Sequence, residues 1–133
     1  MIIIACIDNN GGMAFNNRRQ SMDSVLREKI LSYTQNKKLF MNEYSAKQFD
    51  FNSAITVDDD FLKKAENGDY CFIEDTSAEE YFDKIEGIIL VHWNRVYPFD
   101  LKFNIPLDDF ILTEQYEFKG NSHDKITAEV YRR

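Results

Sequence analysis

The sequence predicts an α/β fold: a three-layer sandwich with a mixed, mostly parallel central sheet, helices on both faces and a C-terminal antiparallel hairpin. Short β-branched apolar segments alternate with helical segments up to residue 93, and such alternation is typical of parallel sheets. After residue 93 the helical patterns stop and only strand-like alternation follows. The 133 residues contain no repeat and no linker, so we expect a single domain over residues 1–133.

The first strand and the first helix have the clearest patterns. Residues 1–7 form an apolar, β-branched run that ends at Asp8 and a pair of glycines, which predicts a buried strand followed by a loop. Residues 8–20 show no apolar periodicity, so we expect them to form a loop of about a dozen residues. Ser21 or Asp23 then offers an N-cap for a helix whose apolar face holds Val25, Leu26, Ile30 and Leu31.

The remaining elements follow from the same patterns. Strands are predicted at 39–41, 55–57, 70–73 and 88–91, and short helices at 45–49, 61–65 and 77–82. Three consecutive acids, Asp58 to Asp60, precede the second of these helices and place negative charge at its positive end. Residues 101–103, 110–112, 113–118 and 126–131 read as strands, and the segment 119–122 predicts the turn of a closing hairpin.

Composition excludes several classes of function. The net charge is −7, which argues against nucleic-acid binding because that affinity depends on Lys and Arg neutralising phosphates. The longest apolar run has seven residues, far short of the ~20 that span a bilayer, and no secretory leader is evident. Cys6 and Cys71 both lie in apolar segments, which favours buried free thiols and a cytoplasmic protein.

The charge is unevenly distributed along the chain. Residues 1–40 carry six basic and three acidic groups, whereas residues 41–133 carry ten basic and twenty acidic groups. One interpretation is that the basic side chains solvate a helix face and pair with acidic neighbours. The other is that Arg18 and Arg19 flank a pocket for an anionic small molecule.

Motifs for several common chemistries are absent from the sequence. The only glycine pair, Gly11-Gly12, lacks the other residues of a phosphate-binding loop. His92 and His123 have no Cys or His nearby, so we predict no metal site and do not expect a metal-dependent hydrolase or nuclease. The Asp58 to Asp60 run could attract a divalent cation, but its position favours a helix cap.

Taken in order, the segments resemble dihydrofolate reductase over nearly the whole chain. Residues 4–13 are similar to the family's first strand and its glycine-containing substrate loop, and residues 38–45 to its second strand and the following turn. Residues 81–92 resemble the helix and strand after the family's Gly-Gly turn, and residues 121–133 resemble its closing hairpin. The resemblance implies a dihydrofolate reductase-like fold and, in the family, chemistry that uses NADPH.

The family's cofactor motifs are not matched, which marks a divergent member. Asn42 and Glu43 stand where the family has a Gly-Arg pair whose arginine grips a phosphate of NADPH. Glu74-Asp75, or Asp75-Thr76 with a shift of one residue, stands where a Gly-Gly turn lets the pyrophosphate approach backbone amides. Carboxylates at these positions repel phosphate. We therefore predict no cofactor and expect a degenerate cofactor groove at Asn42, Glu43, Glu74 and Asp75.

The substrate side of the resemblance centres on Asp23. The family places an acid at the start of its first helix to hold and protonate a pterin ring, and Asp23 is the matching candidate catalytic residue. The spacing from Asp23 to Thr34 is about three residues longer than in the family, and Val91 stands where the family has a supporting threonine. Asp23 is thus either an acid in a pocket or only an N-cap.

Open α/β sheets bind ligands at the carboxyl ends of their strands, and we expect a cleft there. Its predicted ligand-binding residues are Asp8, Met13, Phe15, Arg18, Arg19, Met41 and Tyr44, beside Asp23.

The leading hypothesis for function is a reductase-fold protein that has lost NADPH-dependent chemistry and binds a small ligand in the remaining cleft. This hypothesis favours a protein that is not an enzyme. One alternative is an NADPH-dependent oxidoreductase acting on a pteridine-like or flavin-like substrate. The other is a protein-interaction module or homodimer that uses exposed aromatic side chains such as Tyr97, Phe99 and Tyr116.

Overall fold

The computed structural model describes residues 1–50 and 54–133. Ten strands lie in the described residues: β1 Ile2–Ile7, β2 Gly12–Phe15, β3 Arg18–Arg19, β4 Leu39–Met41, β5 Thr56–Val57, β6 Tyr70–Ile73, β7 Gly87–His92, β8 Leu101–Lys102, β9 Ile111–Phe118 and β10 Ile126–Arg132. The helices are α1 Ser24–Tyr33, α2 Glu43–Ala46, α3 Phe61–Lys64 and a 3₁₀ helix, Glu79–Lys84.

A seven-stranded sheet organises the molecule, in the order β5-β4-β6-β1-β7-β10-β9. The five strands from β5 to β7 pair in parallel. Strand β10 then runs antiparallel to both β7 and β9. This is the mixed, mostly parallel sheet with a C-terminal antiparallel hairpin that the sequence predicts, so the predicted fold class is confirmed.

Side chains on the two faces of the sheet enter two separate cores, because successive residues of a strand point to opposite faces. In β1, Ile3 and Ala5 pack with Phe61 of α3 on one face. Ile2 and Ile4 pack on the other face, together with Leu26 and Ile30 of α1. The continuous apolar pattern of β1 follows from this, since both faces of the strand are covered.

The segment from residue 12 to residue 20 differs from the predicted loop. It contains β2 and β3, which pair antiparallel, and β2 also pairs with β8 to give a second, three-stranded sheet. Asn16 and Asn17, which connect β2 to β3, have φ values of 51° and 62°, the left-handed conformations of a two-residue hairpin turn. The strands of this arm are too short to show alternation in the sequence, which explains the difference.

Among the described residues, no helix has the length and apolar character needed to cross a membrane.

Candidate functional site

A cleft lies at the carboxyl ends of β6, β1 and β7, three neighbouring strands in the middle of the large sheet. Two small cavities lie there, each with about 10 Å³ of free space. That volume holds a single water molecule. The shared lining comes from four residues after or near these strand ends, namely Cys6, Ser21, Glu74 and Trp93. The side chains of the protein itself therefore fill most of the cleft.

An ion pair between Arg19 and Glu74 crosses this cleft. Arg19 Nε donates to both oxygens of Glu74, at 2.9 and 3.1 Å. Arg19 Nη2 donates to the carbonyl of Tyr44 at 3.2 Å, and the guanidinium carbon lies 4.3 Å from the centre of the Tyr44 ring. Gln48 Nε2 donates to Glu74 at 2.8 Å. The short strand β3 thus carries a cation into the cleft, where every polar contact of Glu74 is internal.

Burial governs the chemistry of the acid and the thiol in this cleft. Desolvation raises the pKa of Glu74, and the hydrogen bonds and charge of Arg19 oppose that rise. The side chain of Glu74 is only 7% exposed. Desolvation and the nearby Glu74 carboxylate raise the pKa of the Cys6 thiol well above its ordinary value. Cys6 is therefore held as a neutral thiol, which is a poor nucleophile.

Asp23 is the N-cap of α1. Its Oδ1 accepts hydrogen bonds from the amides of Val25 at 2.9 Å and Leu26 at 3.3 Å. An acceptor at this position satisfies amides that have no partner within the helix. This is one of the two roles that the sequence predicts for Asp23.

The same carboxylate also holds the turn between β9 and β10. Asn121 N donates to Oδ1 at 3.0 Å, and Ser122 N and Oγ donate to Oδ2 at 2.9 and 3.2 Å. His123 Nδ1 lies 3.1 Å from Oδ2. Burial by itself would raise the pKa of Asp23, but the hydrogen bonds from Asn121, Ser122, His123 and Leu26 hold that pKa well below its usual range. Asp23 is a buried carboxylate whose acceptor capacity is used inside the protein.

His123 extends this network toward the cleft. Its ring stacks on Trp93 with centroids 4.6 Å apart. With Nδ1–H donated to Asp23, Nε2 is an acceptor, and it faces Tyr97 Oη at 3.0 Å and Ser21 Oγ at 3.2 Å. Asp23, His123 and Ser21 have the order of a nucleophilic triad. The adjoining cavities are too small for an acyl substrate, and Tyr97 competes for Nε2, so the arrangement serves structure.

A second, wider groove lies outside the carboxyl ends of β4 and β6, with about 180 Å³ of free space. Asn42, the N-cap of α2, lines it and donates from Nδ2 to Asp75 Oδ1 at 2.9 Å. Its charged lining residues in the described part of the chain are Asp59, Asp60, Glu80 and Lys63. Among the described lining residues three acids stand against one lysine, so the groove favours positive charge over a phosphate group.

The structure distributes the predicted ligand-binding residues over several environments. Met13, Arg19 and Tyr44 meet at the cleft. Asp8 is buried and closes the loop after β1, where its carboxylate accepts from the amides of Asn10, Gly12 and Tyr97. Three others do not line the described cavities of the cleft: Phe15 and Arg18 are exposed, and Met41 is buried in the core against α1.

The four residues expected in the degenerate cofactor groove also separate. Asn42 lines the wider groove, and Asp75 accepts a hydrogen bond from Asn42. Glu43 is exposed at the start of α2. Glu74 points instead into the central cleft, beside Phe72. Residues 74 and 75 follow the end of β6, and their side chains have different partners: Glu74 accepts from Arg19, whereas Asp75 accepts from Asn42.

Four further residues of the site are not among those that the sequence predicts: Gln20, Ser21, Gln48 and His123. His123 lies about 100 residues from Asp23, and no local pattern connects the two. Among residues 1–50 and 54–133, no group of three or more His, Cys, Asp or Glu side chains is arranged to hold a metal ion.

The mostly parallel α/β sheet, the cleft at the carboxyl ends of its strands and the closing antiparallel hairpin define the fold class. Within that class the chain has a dihydrofolate reductase-like fold. It is similar to the dihydrofolate reductase from Enterococcus faecalis complexed with NADP(H) and RAB-propyl, with a TM-score of 0.71 over 99% of this chain and 95% of that one. The two sequences are 10% identical. No family model and no curated protein matches the sequence.

Proposed function

We propose that this chain is a divergent protein of the dihydrofolate reductase fold that has lost NADPH-dependent chemistry and keeps the central cleft, which its own side chains, Arg19 among them, now fill. The wider groove carries this proposal. By the resemblance, the Gly-Arg and Gly-Gly elements that contact the cofactor's phosphates correspond to Asn42-Glu43 and to residues 74–76. Asn42 and Asp75 bind each other across that position, so a hydrogen bond between side chains takes the place of glycine backbone and arginine.

The charge of the groove supports the same conclusion. Asp59, Asp60 and Glu80 line it, and Glu43 lies exposed at the start of α2. Removing a cation and adding carboxylates near a pyrophosphate costs several kcal/mol through repulsion and lost charge-assisted hydrogen bonds. A dinucleotide that depends on phosphate contacts would lose most of its affinity.

The state of Asp23 supports a loss of proton-transfer chemistry as well. A catalytic acid needs a pKa near the working pH. The hydrogen bonds to Asp23 lower its pKa instead, so this carboxyl stays ionised under any ordinary condition. The carboxylate is also enclosed, since its side chain is fully buried beside His123.

Titration of NADPH into the protein by isothermal calorimetry tests the proposal. We expect no binding at micromolar concentrations, with the Enterococcus faecalis dihydrofolate reductase as the positive control. A dissociation constant of about 10 µM or tighter would refute the loss of the cofactor and favour the oxidoreductase alternative. In that case, oxidation of NADPH in the presence of dihydrofolate, followed by absorbance, measures the activity.

One observation favours a role in self-association as the second candidate. Strand β9 is the edge of the large sheet, and seven of its eight residues are exposed. Ile111 is 71% exposed and Leu112 is 43% exposed, and exposed apolar edges are sites of pairing with other chains. Sedimentation velocity at two concentrations tests this candidate, and a monomer at both concentrations would remove it.

A further inference from the structure

The contacts of Arg19 have the form of a binding site for a planar cation. The two oxygens of Glu74 accept hydrogen bonds from Arg19 Nε at 2.9 and 3.1 Å, and the Tyr44 carbonyl accepts one from Arg19 Nη2 at 3.2 Å. The guanidinium carbon lies over the Tyr44 ring, 4.3 Å from the ring centre. Acceptors in the plane and an aromatic face beside it are the features by which proteins recognise guanidinium groups.

The burial of the site separates it from an ordinary surface ion pair. The side chain of Glu74 is only 7% exposed. Gln48 donates a 2.8 Å hydrogen bond to its carboxylate and so orients it. Gln20 Oε1 is a buried oxygen that has no hydrogen-bond partner among the described residues, and Gln20 lines the same small cavity as Arg19 and Glu74. An unpaired buried acceptor beside a carboxylate is suited to a further N–H donor.

We propose that Glu74 and Tyr44 form a binding site for small guanidinium or amidinium compounds in the cavity that Gln20 also lines, and that Arg19 fills this site in cis. The inference rests on the proposed retention of the cleft and not on the loss of NADPH chemistry. The cation is carried by β3, a strand of two residues. Removing the Arg19 side chain leaves a buried carboxylate without its cation and opens the space that the guanidinium occupied.

The test is chemical rescue of Arg19→Ala. We expect this variant to have a lower Tm than the wild-type protein, and methylguanidinium to raise that Tm by about 4 °C at ten times its dissociation constant. The wild-type Tm should not rise, because Arg19 already occupies the site. Acetamide, a neutral planar amide, should produce no rise in any variant.

Two matched variants establish where the compound binds. Arg18→Ala removes the neighbouring exposed arginine, and its Tm should not rise with methylguanidinium. Arg19→Ala combined with Glu74→Gln should lose the rise, since the carboxylate is gone. An absent rise in Arg19→Ala, or an equal rise in either control, would overturn the proposal.

If Arg19→Ala does not fold, Arg19→Gln replaces it, because its amide can keep one N–H donor to Glu74. Methylguanidinium should raise its Tm by displacing the weaker amide donor, and no rise would again overturn the proposal. Every arm is run without NADPH. The NADPH titration of the wild-type protein therefore stands or fails separately from this test.

Discussion

Replacing Asp23 by asparagine distinguishes the roles that its position allows. Asparagine is as good an N-cap as aspartate, so a residue that only caps α1 would tolerate the change with little loss. Asp23 also accepts hydrogen bonds from Asn121, Ser122 and His123 at its two oxygens. The substitution removes the charge and turns an amide NH₂ toward the amide and hydroxyl donors of Ser122.

The size of the effect follows from these contacts. A hydrogen bond to a charged group contributes about 1.5–3 kcal/mol, and an orphaned buried donor costs about 1–3 kcal/mol. His123 can change tautomer and accept from the new amide, whereas the Ser122 amide cannot. We therefore expect Asp23→Asn to lower the free energy of unfolding by about 3 kcal/mol.

Urea denaturation measures this value. Trp93 is the single tryptophan, and its ring stacks on His123, so its fluorescence reports directly on the region that the substitution changes. Asp60→Asn is the matched control, because Asp60 is the N-cap of α3 but makes no side-chain capping bond. The control should stay within about 0.5 kcal/mol of the wild-type protein. A loss below about 1 kcal/mol for Asp23→Asn would refute the account of Asp23 as a structural hub.

Three further predictions concern the same regions. The pKa of Asp23 is lowered in the folded protein, so its stabilising contribution is complete above the unfolded pKa of about 3.9 and falls as the pH drops below that value. The difference in unfolding free energy between the wild-type protein and Asp23→Asn, measured in urea, should therefore shrink as the pH is lowered. A difference that stays constant with pH would contradict this. Gly120→Ala would place a Cβ against the Asp23 carboxylate and close to Ile126, so we expect the free energy of unfolding to fall by about 2–3 kcal/mol. The control is Gly68→Ala, whose Cβ meets open space although Gly68 has a positive φ; it should lose only about 1 kcal/mol. Ile111→Glu, on the exposed edge, should change the unfolding free energy by less than about 0.5 kcal/mol, and a larger loss in a monomer would show that β9 depends on this side chain.

The centre of the sheet could be predicted from the sequence because its strands are buried on both faces and are continuous apolar runs. Strands β1, β6 and β7 are of this kind. The arm β2–β3 is not, since each of its strands has too few residues for a period to appear. The Asn16-Asn17 pair is the one local signal that could have predicted it, because asparagine tolerates the left-handed conformation of a tight hairpin turn.

The candidate site was predictable only in part, because its contacts join distant segments. Arg19 lines the cleft, and the anion that it meets there is the protein's own Glu74, which no local pattern connects to residue 19. Asp23 could be recognised as an N-cap from its neighbours. Its partners at residues 121–123 are about 100 positions away, and composition and periodicity carry no information at that range.

The reach of Asp23 across the sequence has a consequence for how the chain folds. The amino end of α1 is completed by the turn that precedes β10, and β10 inserts between β7 and β9. During synthesis, α1 leaves the ribosome long before its final partners exist. Contacts of such large sequence separation slow folding, so the helix should gain its last protection from hydrogen exchange together with the C-terminal hairpin, in one late step that joins the two ends of the chain.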